Sequence, residues 1–365
     1  MSETDLLPHG STPTGDILSS FAGQATACRN LGSPFTALLC DVLARGLDDK
    51  SAFGQRILSW VGRPKADALP LRAAGALHFL ARSGAAPRLE RVYPPHVANE
   101  AALASAIHAA IADHDALLTG FLDSPPQTNE TARSAVILGG ALIVANETRL
   151  PLQTFEIGAS AGLNLHFDRY FYDLGGGRWG DPAADVRLSC AWSGAQPPLD
   201  APLHIAGRAG CDLNPLDPRE RSDRERLLAY VWPDQADRLS RMERALAHAA
   251  SHEERVERTD AADWLERSLS SPATPGCARV VLHTIVWQYL PSQTKARLSS
   301  LIEAAGRAAT RAAPFAWLRM EADGDPGSAA VTLTLWPEGR ERRLGRADFH
   351  GRRVRWTDGG ERPAD

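Results

Sequence analysis

The sequence predicts an α/β protein in which a helical region precedes a largely parallel sheet, and three observations lead there. Up to residue 150 the apolar residues recur at three- and four-residue spacing, and nothing reads convincingly as a strand. Beyond Pro151, short β-branched runs alternate with helical stretches, as in successive βαβ units. Between the first of these runs and the next helix lies Gly158-Ala159-Ser160-Ala161-Gly162, a glycine turn at the end of a buried strand.

The elements follow in order. Residues 1–16 are polar, carry Pro8, Gly10 and Pro13, and are expected to form a disordered tail. They show no basic flank before an apolar segment, so no secretory signal is expected. A helical N-terminal domain is expected over 17–150. Ser33-Pro34 opens a helix carrying Phe35, Leu38, Leu39 and Val42, and further helices are expected at 53–61, 69–83, 98–114 and 131–145. The α/β domain is expected over 151–365, with strands at 152–157, 186–192, 203–211, 256–260, 279–286, 315–321 and 331–336. Helices are expected at 163–170, within 223–250, and at 261–269 and 294–311. An insertion rich in glycine and aromatic residues is expected near 170–195, and the closing strands are expected to form an antiparallel edge.

Composition narrows the function classes. The 365 residues are 44% hydrophobic and 23% charged, a balance that supports a sizeable core. A formal charge of −4 argues against a dedicated nucleic-acid binder. Cys28, Cys40, Cys190, Cys211 and Cys277 are scattered without a Cys-x-x-Cys pair, which points to reduced thiols and a cytoplasmic location. No apolar run is long enough to cross a membrane, and no spacing of histidines, cysteines and carboxylates suggests a metal site. Oligomeric state is not legible.

The glycine turn has two spellings. As Glu156-x-Gly158-x-x-x-Gly162 it resembles the first motif of an S-adenosylmethionine-dependent methyltransferase. As Gly158-x-Ser160-x-Gly162 it spells a hydrolase nucleophile elbow with Ser160 as nucleophile, served by Asp260 or Asp263 and by His283 or His350. An elbow needs several strands and an oxyanion loop before it, and here the preceding residues look helical. The acids favour the first spelling. Glu156 closes the first strand, Asp212 the second and Asp260 the third, while His283 ends the fourth. The expected fold is therefore a Rossmann-like, methyltransferase-type mostly parallel sheet with an all-helical N-terminal domain.

On that reading Glu156, Gly158, Ala159, Gly162, Asp212, Asp260 and Ala261 bind S-adenosylmethionine, and free N–H groups of the helix after Gly162 face its carboxylate. Asp217 competes with Asp212 for the ribose. His283 is the expected base, and Asn129, Tyr170, Trp287 and Tyr289 are expected to contact a small-molecule acceptor. Plainer roles exist for each: Asp260 also fits a helix N-cap, His283 a core histidine, and Trp287 and Tyr289 packing. The C-terminal arginines (Arg340, Arg342, Arg343, Arg346, Arg352, Arg353 and Arg355) fit a solvated hairpin face better than a phosphate-binding surface. A third expectation is a methyltransferase-like fold that binds without catalysing.

Four further segments carry a resemblance over almost the whole chain. They are Pro125-Pro126-Gln127-Thr128-Asn129-Glu130, Arg169-Tyr170 with Trp179-Gly180-Asp181, Ala229 to Gln235, and Val286-Trp287-Gln288-Tyr289-Leu290-Pro291. Together they resemble a bacterial domain-of-unknown-function family, number 2332. The resemblance implies a shared fold and supplies no activity or catalytic residue.

Overall fold

The computed structural model describes residues 13–97 and 99–357. Residues 1–12, most of the expected tail, and Ala98, the expected start of a helix, lie outside the described residues. Helices come first: α1 (Thr14–Asn30), α2 (Pro34–Gly46), α3 (Ala52–Leu58), α4 (Leu69–Arg82), α5 (Pro87–Glu90), α6 (Glu100–Phe121) and α7 (Ser134–Thr148). Thus α1 starts inside the stretch read as tail. The strands β1 (Leu152–Ile157), β2 (Phe171–Asp173), β3 (Arg178–Trp179), β4 (Arg187–Ser189), β5 (Ala191–Gly194) and β6 (Ile205–Asp212) follow. After them come α8 (Arg221–Ala229), α9 (Ala236–Ala250), β7 (Val256–Arg258), α10 (Ala261–Ser270), β8 (Ala278–Thr284) and α11 (Ser292–Arg307). The chain closes with β9 (Phe315–Glu321), β10 (Ala329–Trp336), β11 (Arg340–Ala347) and β12 (Arg353–Trp356).

The chain divides into two compact units. One comprises the residues up to Thr128 together with Glu225–Ser240, the other Asn129–Arg224 with Arg241–Asp365. In the first, Leu39 and Leu43 of α2 and Leu77 and Leu80 of α4 recur at helical spacing and are buried with Phe21 and Phe53. The late segment joins this unit through specific contacts. Gly75 lies against the Tyr230 ring, where a Cβ would come within 2.6 Å of Cε1. The His78 ring bonds the Ala229 carbonyl at 3.1 Å. Asp234 accepts the Phe35 N–H at 2.8 Å and the Ser33 hydroxyl, so an acid distant in sequence satisfies an open N–H in the first turn of α2.

Among the described residues, the strands of the second unit build a nine-stranded sheet ordered β5-β12-β11-β10-β9-β8-β1-β6-β7 and a three-stranded sheet ordered β3-β2-β4. From β9 to β7 every neighbour is parallel. Read from the β7 edge, these parallel strands run third, second, first, fourth, fifth, so the order reverses between β1 and β8. The strands from β9 to β12 pair antiparallel, and β5 adds parallel to β12. The central β8 is buried along almost its whole length, which explains its continuous run Val280-Val281-Leu282.

Two segments differ from the sequence expectation. The second unit begins at Asn129 and takes in α7, which was read as part of the first domain. The helix is apolar on nearly all sides, and Gly140 sits so close to Leu318 of β9 that a Cβ would lie 2.4 Å from Cδ1. The run expected as one strand at 186–192 splits into β4 and β5, which join different sheets on either side of buried Cys190. The C-terminal arginines meet acids: Arg342 pairs with Glu147 at 2.7 Å, and Arg343 and Arg346 with Asp323 at 3.1 and 2.8 Å. Among the described residues no helix is long and apolar enough to cross a membrane, and all five cysteines are free.

Removing the acid that caps α2 is expected to be costly. Asp234→Ala should lower stability by about 1–3 kcal/mol, read as a shift in denaturant midpoint at unchanged slope. An unshifted midpoint would contradict the capping role.

Candidate functional site

The glycine turn leaves β1 at the point where strand order reverses. Gly158, Ser160 and Gly162 have φ of 72°, 55° and 75°, in the left-handed region that glycine enters freely and serine at some cost. Protein groups take every backbone N–H of the turn. Gly158 and Ala159 both donate to the Cys211 carbonyl at 2.9 Å, and Gly162 donates to the Ala159 carbonyl at 2.7 Å. Ser160 N–H donates to Asp212 Oδ2 at 3.0 Å. Ala161 and Leu163 donate to Asn129 Oδ1 at 3.2 and 3.0 Å.

Three expectations change as a result. The helix after Gly162 is a seven-residue 3-10 helix, Leu163–Arg169, in which the Leu163 N–H, expected to face a cofactor carboxylate, is taken by Asn129 and the Leu165 N–H by the Gly162 carbonyl at 3.1 Å. Asn129, expected at the substrate, is buried and braces the turn with its side-chain oxygen. At Gly158, expected to meet the cofactor, Val286 makes the close approach instead: its Cγ2 would lie 2.5 Å from a Cβ there. The turn needs glycine for its own closure and for the approach of the β8 loop.

Glu156 faces the opposite situation. It is 2% exposed, and its Oε2 has no hydrogen-bond partner among the described residues. Burial pushes its pKa up to about 8, against the pull of Asn164 and Arg133 and with a further push from Asp212. The Asn164 oxygen accepts from Ser134 Oγ at 2.7 Å, which orients its amide beside the carboxyl. A buried acceptor without a donor costs about 1–3 kcal/mol.

Around this carboxyl stand the other strand ends. Asp212 is half-buried and accepts one N–H on each oxygen, from Ser160 at 3.0 Å and Asn214 at 2.9 Å. Each oxygen keeps a further lone pair for a ligand hydroxyl. Asp217 is instead paired with Arg219 at 2.6 Å. Asp260 caps α10, its Oδ1 accepting from Ala262 and Asp263 at 2.8 and 3.2 Å, and Ala261 is a buried first-turn residue of that helix. Leu213 and Tyr289, just past the carboxyl ends of the strands on either side of β1, are large apolar side chains left 60% and 74% exposed.

His283 is fully buried, and both ring nitrogens are engaged. Nδ1 donates to Glu321 Oε1 at 2.7 Å, and Nε2 accepts from Trp317 Nε1 at 3.0 Å, while Trp287 stacks on the ring at 4.9 Å. This arrangement leaves no nitrogen for a substrate proton, so the geometry does not support the expected base. His283 acts instead with Glu321 to hold a strained loop. Ile285, a β-branched residue, has φ of 52°, and Glu321 accepts the next two N–H groups, Val286 at 3.1 Å and Trp287 at 3.2 Å. Glu321 was missed as a site residue, although it is the last residue of the strand expected at 315–321, which in the structure pairs with the strand bearing His283. Tyr170, expected at the substrate, is fully buried with its hydroxyl donating to the Leu163 carbonyl at 2.6 Å.

The buried carboxyl makes stability depend on pH. In the unfolded chain Glu156 ionises above about 4.5, and in the folded protein only near 8. Between those values the folded state binds the extra proton, so stability falls as pH rises. Glu156→Gln removes this dependence and should gain on the parent between about pH 5 and pH 8, by up to about 1.4 kcal/mol per pH unit. Paired melts with a constant difference across that range would contradict a neutral buried carboxyl.

No curated protein and no solved structure matches the chain. The model of a family described as an uncharacterized protein conserved in bacteria (DUF2332) matches residues 19–356. The chain, matched over nearly its whole length, belongs to that family of uncharacterised bacterial proteins.

Proposed function

We propose that this protein is an S-adenosylmethionine-dependent methyltransferase acting on a small molecule, with a helical N-terminal domain followed in sequence by a Rossmann-like sheet. The observation that carries the reading is the position of the glycine turn and Glu156 where the order of parallel strands reverses. Ligands of open α/β sheets bind outside the carboxyl ends of the strands at such a point. The residues there suit this cofactor. Glu156, buried and unmatched on Oε2, would take the methionine ammonium and ionise as it does so. Asp212 retains lone pairs for the ribose hydroxyls, and Leu213 and Tyr289 offer apolar surface to a planar base. The bound cofactor supplies an activated methyl group for in-line displacement, and the protein's part is to position the acceptor and exclude water. The Ile285–Trp287 loop, held by Glu321 and His283, would form one wall.

Proton linkage gives a specific test. At neutral pH Glu156 is protonated when free, so pairing with an ammonium should release about one proton. Calorimetry of the folded, ligand-free chain with S-adenosylmethionine, run in two buffers of different ionisation heat, should show that release. Glu156→Gln should bind at least about tenfold more weakly, without it. No binding heat in either buffer would sink the proposal. Binding without turnover on any acceptor would instead favour the non-catalytic reading.

A serine hydrolase remains the second reading, because Ser160 has φ of 55° at a sharp turn between a strand and a helix. A fluorophosphonate probe separates the two. The methyltransferase reading predicts no labelling at Ser160, whereas labelling lost in Ser160→Ala would favour the hydrolase.

A further inference from the structure

Away from the glycine turn, three histidines converge. His166 lies in the 3-10 helix Leu163–Arg169 and is buried, while His248 near the end of α9 and His252 just beyond it are half-buried. Their ring centres are 4.4 Å apart for His248 and His252, 5.0 Å for His166 and His252, and 5.2 Å for His166 and His248. One nitrogen of each lies within 4.8 Å of the others. Three imidazoles around a tetrahedral ion, with metal–nitrogen bonds of about 2.0–2.1 Å, bring their ring centres to about 5 Å. The rings therefore already stand at that separation.

The hydrogen bonds point the same way. His252 Nδ1 donates to the His248 carbonyl at 2.7 Å, which leaves Nε2 as the lone-pair nitrogen, an outer bond typical of metal-binding imidazoles. His248 Nε2 is buried and has no hydrogen-bond partner among the described residues. Aromatic packing alone does not account for that atom. One group must move. Arg169 Nη1 donates to His166 Nδ1 at 3.2 Å, and its Nη2 holds Glu254 at 3.2 Å, so His166 joins the set once Arg169 keeps only Glu254.

We propose that His166, His248 and His252 form a site for one first-row divalent metal ion such as zinc, with a fourth position open to water or a ligand. The set contains no thiolate, and imidazole suits zinc, copper, iron and nickel. The inference is independent of the cofactor reading. From the sequence no metal site is expected; the four-residue spacing of His248 and His252 was a signal that could have flagged the pair, but His166 lies far earlier in the chain.

Cobalt(II) is the probe. Titrated into the full-length chain after chelation and desalting, it should bind one ion per chain and develop the visible absorption of a tetrahedral site. His248→Gln and His252→Gln, each with parental circular dichroism, should weaken binding at least about tenfold. Arg169→Gln, which frees His166 Nδ1 and removes a positive charge, should strengthen it. Absence of binding by the parent, or affinity unchanged in both histidine variants, overturns the site. Weaker binding by Arg169→Gln overturns His166 as the third ligand.

Discussion

The buried carboxyl of Glu156 sets the terms for everything around it. It sits near the end of β1 with one oxygen unmatched, at a free-energy cost that ordinary core packing would avoid. The position persists because the surrounding backbone is over-determined. The Cys211 carbonyl, Asp212 and Asn129 take the N–H groups of the turn that follows, and Val286 closes the space over Gly158. A turn held this firmly cannot swing to satisfy Glu156. The proposed ligand would supply the missing partner, and a cation matches a carboxylate better than a neutral donor.

The sheet explains why these groups collect at this point. Parallel strands send their carboxyl ends to one edge, and the reversal of order between β1 and β8 parts the loops there. On one side stands Asp212, with capacity left on both oxygens; on the other stands the Ile285–Trp287 loop. That second wall depends on a relay in which Trp317 fixes His283, His283 bonds Glu321, and Glu321 pins the loop backbone. Strain at Ile285 is tolerated because these bonds leave the loop no relaxed alternative.

Much of the scaffold was legible in the sequence because periodicity is local. The helical repeats before residue 150, the buried Val280-Val281-Leu282 run and the glycine turn all declared themselves within a few residues. What escaped depends on partners far along the chain. Nothing near Asn129 says that its oxygen will brace a turn thirty or so residues later. Tyr170 looks like a lid residue until its hydroxyl meets the Leu163 carbonyl. His283 reads as a base at a strand end, and only the arrival of Glu321 and Trp317 on the next strand shows both nitrogens taken. Asp260, for which capping was weighed beside ligand binding, does cap its helix, since that signal is local. The placement of α7 with the sheet follows from glycines that admit Leu318 and two tryptophans, neighbours a one-dimensional pattern does not reveal.

The central claim is that Glu156 waits in its neutral form for a positively charged ligand. Infrared difference spectroscopy of the parent protein against Glu156→Gln reads that protonation state directly. A protonated carboxyl band should be present at neutral pH, where the buried group with a pKa of about 8 keeps its proton. The band should disappear on addition of S-adenosylmethionine. A carboxylate signal for Glu156 in the free protein, or a protonated band that S-adenosylmethionine leaves unchanged, would contradict the account.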